Sequence, residues 1–184
     1  MTRLTAVFII LFILTLSKAF ASDNITVSPL GLTHHGYGMY GSEKHMIRPV
    51  GNVTGLVYNP EVNVVYNKSQ IIYNATVLSD CFGNTAFNLG MGKMYNLTEN
   101  IEYGFLVGLY VRQHMDVLED IGMPKVGAYD VIPMPWAVIS YDLDINEQFS
   151  LTTIISSNIA LTHAIIGLKY NFGGFVFGHE KAPT

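Results

Sequence analysis

The chain has 184 residues, of which 49% are apolar or aromatic, 13% are charged and one, Cys81, is a cysteine. Abundant apolar surface with a net charge of only −4 excludes intrinsic disorder, and a lone cysteine excludes a disulfide scaffold. Nucleic acid is excluded as a partner, because 10 Lys+Arg stand against 14 Asp+Glu with no basic run.

The first element is an export signal. Arg3 precedes the apolar run from Ala6 to Leu16, and Ala19-Phe20-Ala21 offers small residues for cleavage, so residues 1–21 are expected to be removed. The run is short of the roughly 20 residues that span a bilayer as a helix.

From residue 22 to 172 the chain alternates with period two, the signature of strands whose side chains point to opposite faces. Eight strands are predicted, at 29–40, 50–59, 62–79, 84–96, 100–112, 127–143, 147–156 and 159–172. The first approaches its loop through Thr33-His34-His35. A turn at Asn59-Pro60-Glu61 separates the second from the third, which closes on Ser79-Asp80-Cys81. One parity of the fourth is small and polar: Asn88, Gly90 and Gly92 lead to Met94. Ile101, Tyr103, Phe105, Val107, Leu109 and Val111 make one face of the fifth greasy, and Lys93 falls on the corresponding face of the fourth.

Further turns are expected at Asn96-Leu97-Thr98 and Asp144-Ile145-Asn146, and longer connections at 41–49 and 113–126. Pro133 and Pro135 begin or interrupt the sixth strand. A proline cannot donate to a ladder, so such a stretch could leave a gap that admits a lipid sideways. Residues 173–184 form a tail beyond the last strand.

About ten residues per strand with aromatics near the ends predict an all-β, eight-stranded antiparallel up-and-down transmembrane barrel of the outer-membrane type. Periodicity alone does not say whether the greasy face meets lipid or lumen, and a soluble lipocalin-like barrel has the opposite orientation. The mixed parity, poor in charge and rich in glycine, predicts room inside for an acyl chain.

The chemistry-bearing residues gather at one rim. Strands one and three both run toward it, bringing His34 or His35 near Asp80 and Cys81. An imidazole, a carboxylate and a thiol are the parts needed for acyl transfer: the base takes the nucleophile's proton and the carboxylate orients the base. No HxxxH or CxxC spacing suggests a metal, and no G-x-S-x-G elbow is present.

In this order and spacing, from Pro29 to Phe172, these residues resemble the outer-membrane lipid A palmitoyltransferase (PagP) family. Thr33-His34-His35, with Tyr40 downstream, looks like its strand-one motif; the motif selects His35, whereas counting from Pro29 selects His34. Ser79-Asp80-Cys81-Phe82-Gly83-Asn84 looks like its Lys-Asp-Ser-Trp-Asn segment, with cysteine in place of serine. Gly92, next to Gly90, falls where the family has the glycine that floors the acyl pocket. Arg112 and Val131-Ile132-Pro133-Met134-Pro135 match an arginine and a Tyr-Ile-Pro-Leu-Pro run near a lateral opening.

The resemblance implies transfer of an acyl chain from a phospholipid to lipid A or a related glycolipid, in the outer membrane, by a monomer that needs neither metal nor cofactor. It makes His35 (or His34), Asp80 and Cys81 catalytic, and assigns Gly92, Gly90, Arg112, Pro133 and Pro135 to the substrate. Two other readings explain the alternation without chemistry: a non-catalytic surface, adhesion or exclusion barrel, and a secreted lipid-binding barrel.

Overall fold

The computed structural model describes residues 23–36, 49–51, 55–114 and 125–172. The expected export signal, Tyr40 and the tail 173–184 lie outside the described residues. The strands are β1 (Asn24–His35), β2 (Leu56–Lys68), β3 (Ile71–Ser79), β4 (Thr85–Asn96), β5 (Ile101–Gln113), a two-residue β6 (Lys125–Val126), β7 (Tyr129–Asp144), β8 (Phe149–Ser157) and β9 (Leu161–Asn171). All pairings are antiparallel. β1 meets β9, and β5 meets β7 directly, so eight long strands close into a barrel while β6 lies against one end of β7.

Closure gives the alternation its direction. Val107 and Leu109 are more than half exposed on the outside, whereas Leu106 between its neighbours Phe105 and Val107 is buried in the lumen. Phe87, Leu89 and Met91 continue this band on β4, and Ile139, Ile155 and Ile166 on β7 to β9. The greasy face is therefore the outer one, opposite to a lipocalin-like barrel, and its pattern is that of a barrel standing in a bilayer.

Aromatic side chains ring the end with the short turns: Tyr66 stacks on Tyr73, Tyr95 meets Tyr103 at a tilt, and Tyr170 lies between Phe149 and Phe172. Lys93 does face outward, and its ammonium sits 5.1 Å from the centre of the Tyr95 ring. A long stem lying along apolar wall with its charge at the aromatic ring reconciles it with that face.

Two boundaries differ from the sequence reading. Asn59-Pro60-Glu61 is not a turn but part of β2, and the turn is Ser69-Gln70, where both residues have positive φ (50° and 73°). Asn-Pro is a strong turn signal, while Ser-Gln lacks the glycine or asparagine that such two-residue hairpins favour. Pro60 is accommodated because it lies opposite Leu30 at a register shift of β1, next to Pro29. The β1–β9 ladder shifts over the same stretch, and the Ser28 hydroxyl replaces a lost ladder bond by donating to the Ile166 carbonyl at 2.8 Å. Likewise β1 begins at Asn24 and ends at His35, rather than running over 29–40.

The lumen has three layers. Near the turns, Lys169 reaches the carboxylates of Asp142 and Glu102. An apolar cluster fills the middle, with Met94, Leu106, Trp136 and Val138 at its heart. Polar and charged groups line the end with the longer connections. The interior is thus poor in charge only at mid-height, because toward the turns the Glu102 and Asp142 carboxylates face inward and meet the Lys169 ammonium across strands.

Candidate active site

At the end bearing the longer connections, β1 delivers His35 inward and turns His34 outward, where it is exposed. Adjacent strand residues point to opposite faces, so only one of the two imidazoles can enter the lumen. His35 Nε2 lies 3.0 Å from Cys81 Sγ, and both side chains are buried. Asn59, inside β2, donates from Nδ2 to the Ser79 carbonyl at 3.1 Å and reaches the same sulfur at 3.6 Å.

Cys81 is aimed by a locked turn. The Asp80 carboxylate accepts hydrogen bonds from the backbone amides of Phe82 and Asn84, each at 2.9 Å, and Gly83 adopts φ +90°, where glycine alone is unstrained. Arg112 Nη1 stands 3.3 Å from the other Asp80 oxygen as an ion pair, and its Nε stands 3.7 Å from Asp130. His114 Nδ1 approaches Asp130 at 2.6 Å, and the Arg112 guanidinium lies over the Phe82 ring. Asp80, placed by sequence beside the base, gives its oxygens to this turn and to Arg112. It positions Cys81 through the backbone.

Directly inside these groups is a cavity of about 120 Å³, lined by His35, Asn59, Cys81, Tyr110, Arg112 and His163 among others. Two smaller voids, about 50 and 20 Å³, continue down the lumen. Asn88, Trp136 and His163 border both the first and the second, so they form the constriction between them.

Among the described residues, the wall beside the cavity is incomplete. β7 pairs with β5 along its length from Tyr129, but its pairing with β8 begins only at Ala137, because β8 ends at Ser157. Pro133 and Pro135 lie on the stretch open toward β8, exposed on the outer face. They do not interrupt the strand: both remain in register with β5, opposite Leu109 and Val107. Ile132 and Met134 on one side of the gap, and Ala160 and Leu161 on the other, line the cavity.

The glycines play a different part from the one the sequence suggests. A Cβ on Gly92 would overlap the Phe105 carbonyl oxygen, and one on Gly104 the Lys93 carbonyl oxygen. Gly92 borders none of the three voids; its bare backbone lets β4 and β5 approach closely. A Cβ on Gly90 would instead meet the end of the Leu106 side chain, which folds across it. Among the described residues, no group of three or more His, Cys, Asp or Glu side chains is arranged to hold a metal ion.

One polar pair was not singled out from the sequence. Glu61 Oε2 on β2 lies 3.0 Å from His163 Nε2 on β9, reaching across β1 at Gly31. Reading Asn59-Pro60-Glu61 as a turn removed both Asn59 and Glu61 from the lumen. The parity of His163, shared with Leu161 and Ile165, was the available signal.

No protein-family model matches the chain, and no match is found among curated proteins. Among solved structures the chain is similar to one described as "De novo design of transmembrane beta-barrels", at 11% identity over 82% of this chain and 95% of that one, with a TM-score of 0.46.

Proposed function

We propose that the protein is a membrane-embedded acyltransferase in which Cys81 is the nucleophile and His35 its base. The observation that carries this reading is the 3.0 Å contact of His35 Nε2 with Cys81 Sγ at a cavity beside the β7–β8 gap. A thiol needs a neighbouring base to become the reactive thiolate, and the contact supplies one.

In the first step His35 takes the thiol proton as the sulfur bonds to the ester carbon of a phospholipid. The ester C–O bond breaks, and the departing alkoxide recovers the proton from His35. In the second, an acceptor hydroxyl displaces the sulfur and carries the acyl group away. The acceptor implied by the family resemblance is lipid A or a related glycolipid, reached at the end with the longer connections. The exported chain would stand in the outer membrane with that end outward, and the apolar outer band and aromatic ring support a bilayer setting.

Leu106, rather than Gly92, limits the depth of the acyl site. A second reading, a non-catalytic barrel, is favoured by the apolar cluster and ion pairs that fill the rest of the lumen.

The test uses the folded chain in phospholipid vesicles containing lipid A and a phospholipid with a labelled acyl chain. The expected results are labelled lipid A and an acyl adduct on Cys81 detected by intact-protein mass. His35→Ala is expected to lower transfer by about 100-fold or more, the usual contribution of a general base, and Cys81→Ala to abolish the adduct. Undiminished transfer by both variants would remove Cys81 and His35 from the reaction, and no transfer by a verified folded barrel would leave the non-catalytic reading.

A further inference from the structure

The cavity holds a second imidazole that the first step does not use. His163 sits on β9 opposite Thr33, and His35 sits on β1 opposite Leu161, so the two are diagonal neighbours across one ladder. Such positions stand about 7–8 Å apart, near enough to serve one substrate group. The His163 side chain retains 17% exposure while that of Glu61 has none. Glu61 therefore lies behind the ring, with its Oε2 at His163 Nε2, and the imidazole faces the cavity.

Gly31 is what allows this. A Cβ there would overlap both His163 Nε2 and the Glu61 carboxylate, so the pair occupies the space a side chain on β1 would fill. A buried carboxylate is unfavourable unless it is paired, and a stability-driven lumen would gain as much from apolar residues. A second observation comes from the constriction that His163 shares with Asn88 and Trp136. Asn88 Oδ1 and Trp136 Nε1 are both buried there with no hydrogen-bond partner in the structure. An open acceptor and an open N–H beside an oriented imidazole suit a hydroxyl-bearing ligand that reacts through a charged intermediate.

We propose that Glu61 and His163 form the acceptor-activating pair, with His163 the base for the second half of the reaction and Glu61 its positioning residue; this rests on the acyltransferase reading above. Glu61 holds the proton of the neutral ring on Nε2, which leaves Nδ1 basic. His163 takes the proton of an alcohol as that oxygen bonds to the acyl carbon on Cys81. The carbon–sulfur bond breaks and the sulfur leaves with the bonding pair. The proton then passes from His163 through water in the cavity to the Cys81 thiolate, restoring both groups.

The measurement is single-turnover acylation and discharge of the full chain in vesicles, with a labelled-acyl phospholipid as donor and lipid A as acceptor. The acyl-Cys81 adduct is followed by intact mass, and only the fraction that migrates as folded barrel on unheated gels is scored. His163→Gln is expected to acylate at the wild-type rate but to discharge about 100-fold more slowly, so that acyl-Cys81 accumulates. Glu61→Gln, which keeps the shape, is expected to show the same accumulation at about one tenth of the wild-type discharge rate. Hydroxylamine, a nucleophile that needs no base, should release the adduct equally from all three.

Discharge by His163→Gln within threefold of wild type would overturn the assignment and leave Cys81–His35 standing. Should His163→Gln not fold, wild-type discharge by Glu61→Gln would overturn it instead. Absence of any adduct on the wild-type chain would overturn the acyltransferase reading and this proposal together.

Discussion

At the residue scale the glycines of β4 separate two functions that look identical in the sequence. Gly92 is fixed by backbone, since a methyl group there overlaps the β5 chain, whereas Gly90 faces only the movable end of Leu106. Gly92→Ala is therefore expected to abolish the folded, heat-sensitive gel band, while Gly90→Ala keeps it. Leu106→Ala should fold, at a cost of about 2–5 kcal/mol for the removed side chain and the space it leaves. By widening the inner end of the cavity it is expected to shift the acyl chains transferred toward longer ones, read by mass spectrometry of the product. An unchanged profile would remove Leu106 from that role.

That Thr33-His34-His35 and Ser79-Asp80-Cys81 gather at one rim was legible in the sequence, because these residues are local and motif-like. What the sequence withheld was orientation. One residue of register decides which histidine enters, and the local turn decides that the Asp80 carboxylate holds the Phe82 and Asn84 amides that follow Cys81. The Glu61–His163 pair was hidden for another reason. Its members lie 102 positions apart, and it exists only because Gly31 on the strand between them is bare.

At the element scale, long alternating strands such as β5 and β7 were read with nearly correct limits, since their outer faces are continuously apolar. The β2–β3 hairpin was not, because its true turn breaks the rule that left-handed positions go to glycine or asparagine. Ser69 and Gln70 each hold a positive φ that costs ordinary residues about 1 kcal/mol. Replacing Ser69-Gln70 with Asn-Gly is expected to stabilise the barrel by about 1 kcal/mol, measured as a higher urea midpoint with unchanged slope. The open edge of β7 has an equally local origin. β8 stops at Ser157, and Pro133 and Pro135 occupy positions where a free strand edge would otherwise invite another chain.

For the whole molecule, the sequence specified a barrel of eight strands and left its polarity, inside against outside, to closure. That polarity places Trp136, the only tryptophan of the chain, in the lumen, 8% exposed, and Tyr103 on the outer wall. In vesicles of brominated phospholipid the Trp136 fluorescence is expected to be quenched less than that of an indole on the outer wall, because an inward indole meets only lipid that has entered the lumen. Trp136→Phe combined with Tyr103→Trp should instead be strongly quenched, and more by bromines near the headgroups than by those at the chain ends. Equal quenching of both proteins would contradict the orientation of the wall.

The seam between β1 and β9 extends these consequences to topology. Asn24 pairs with Asn171, and the Phe172 amide donates to the Asp23 carbonyl at 2.8 Å, so the first and last barrel residues are already neighbours. Every long strand has two partners over most of its length, and no seam is marked as the place where the polypeptide must start. A short peptide splice joining Phe172 to Asp23 would yield a circle that can be cut anew between Leu97 and Asn100, giving a permuted chain with all eight staves and the same mouth.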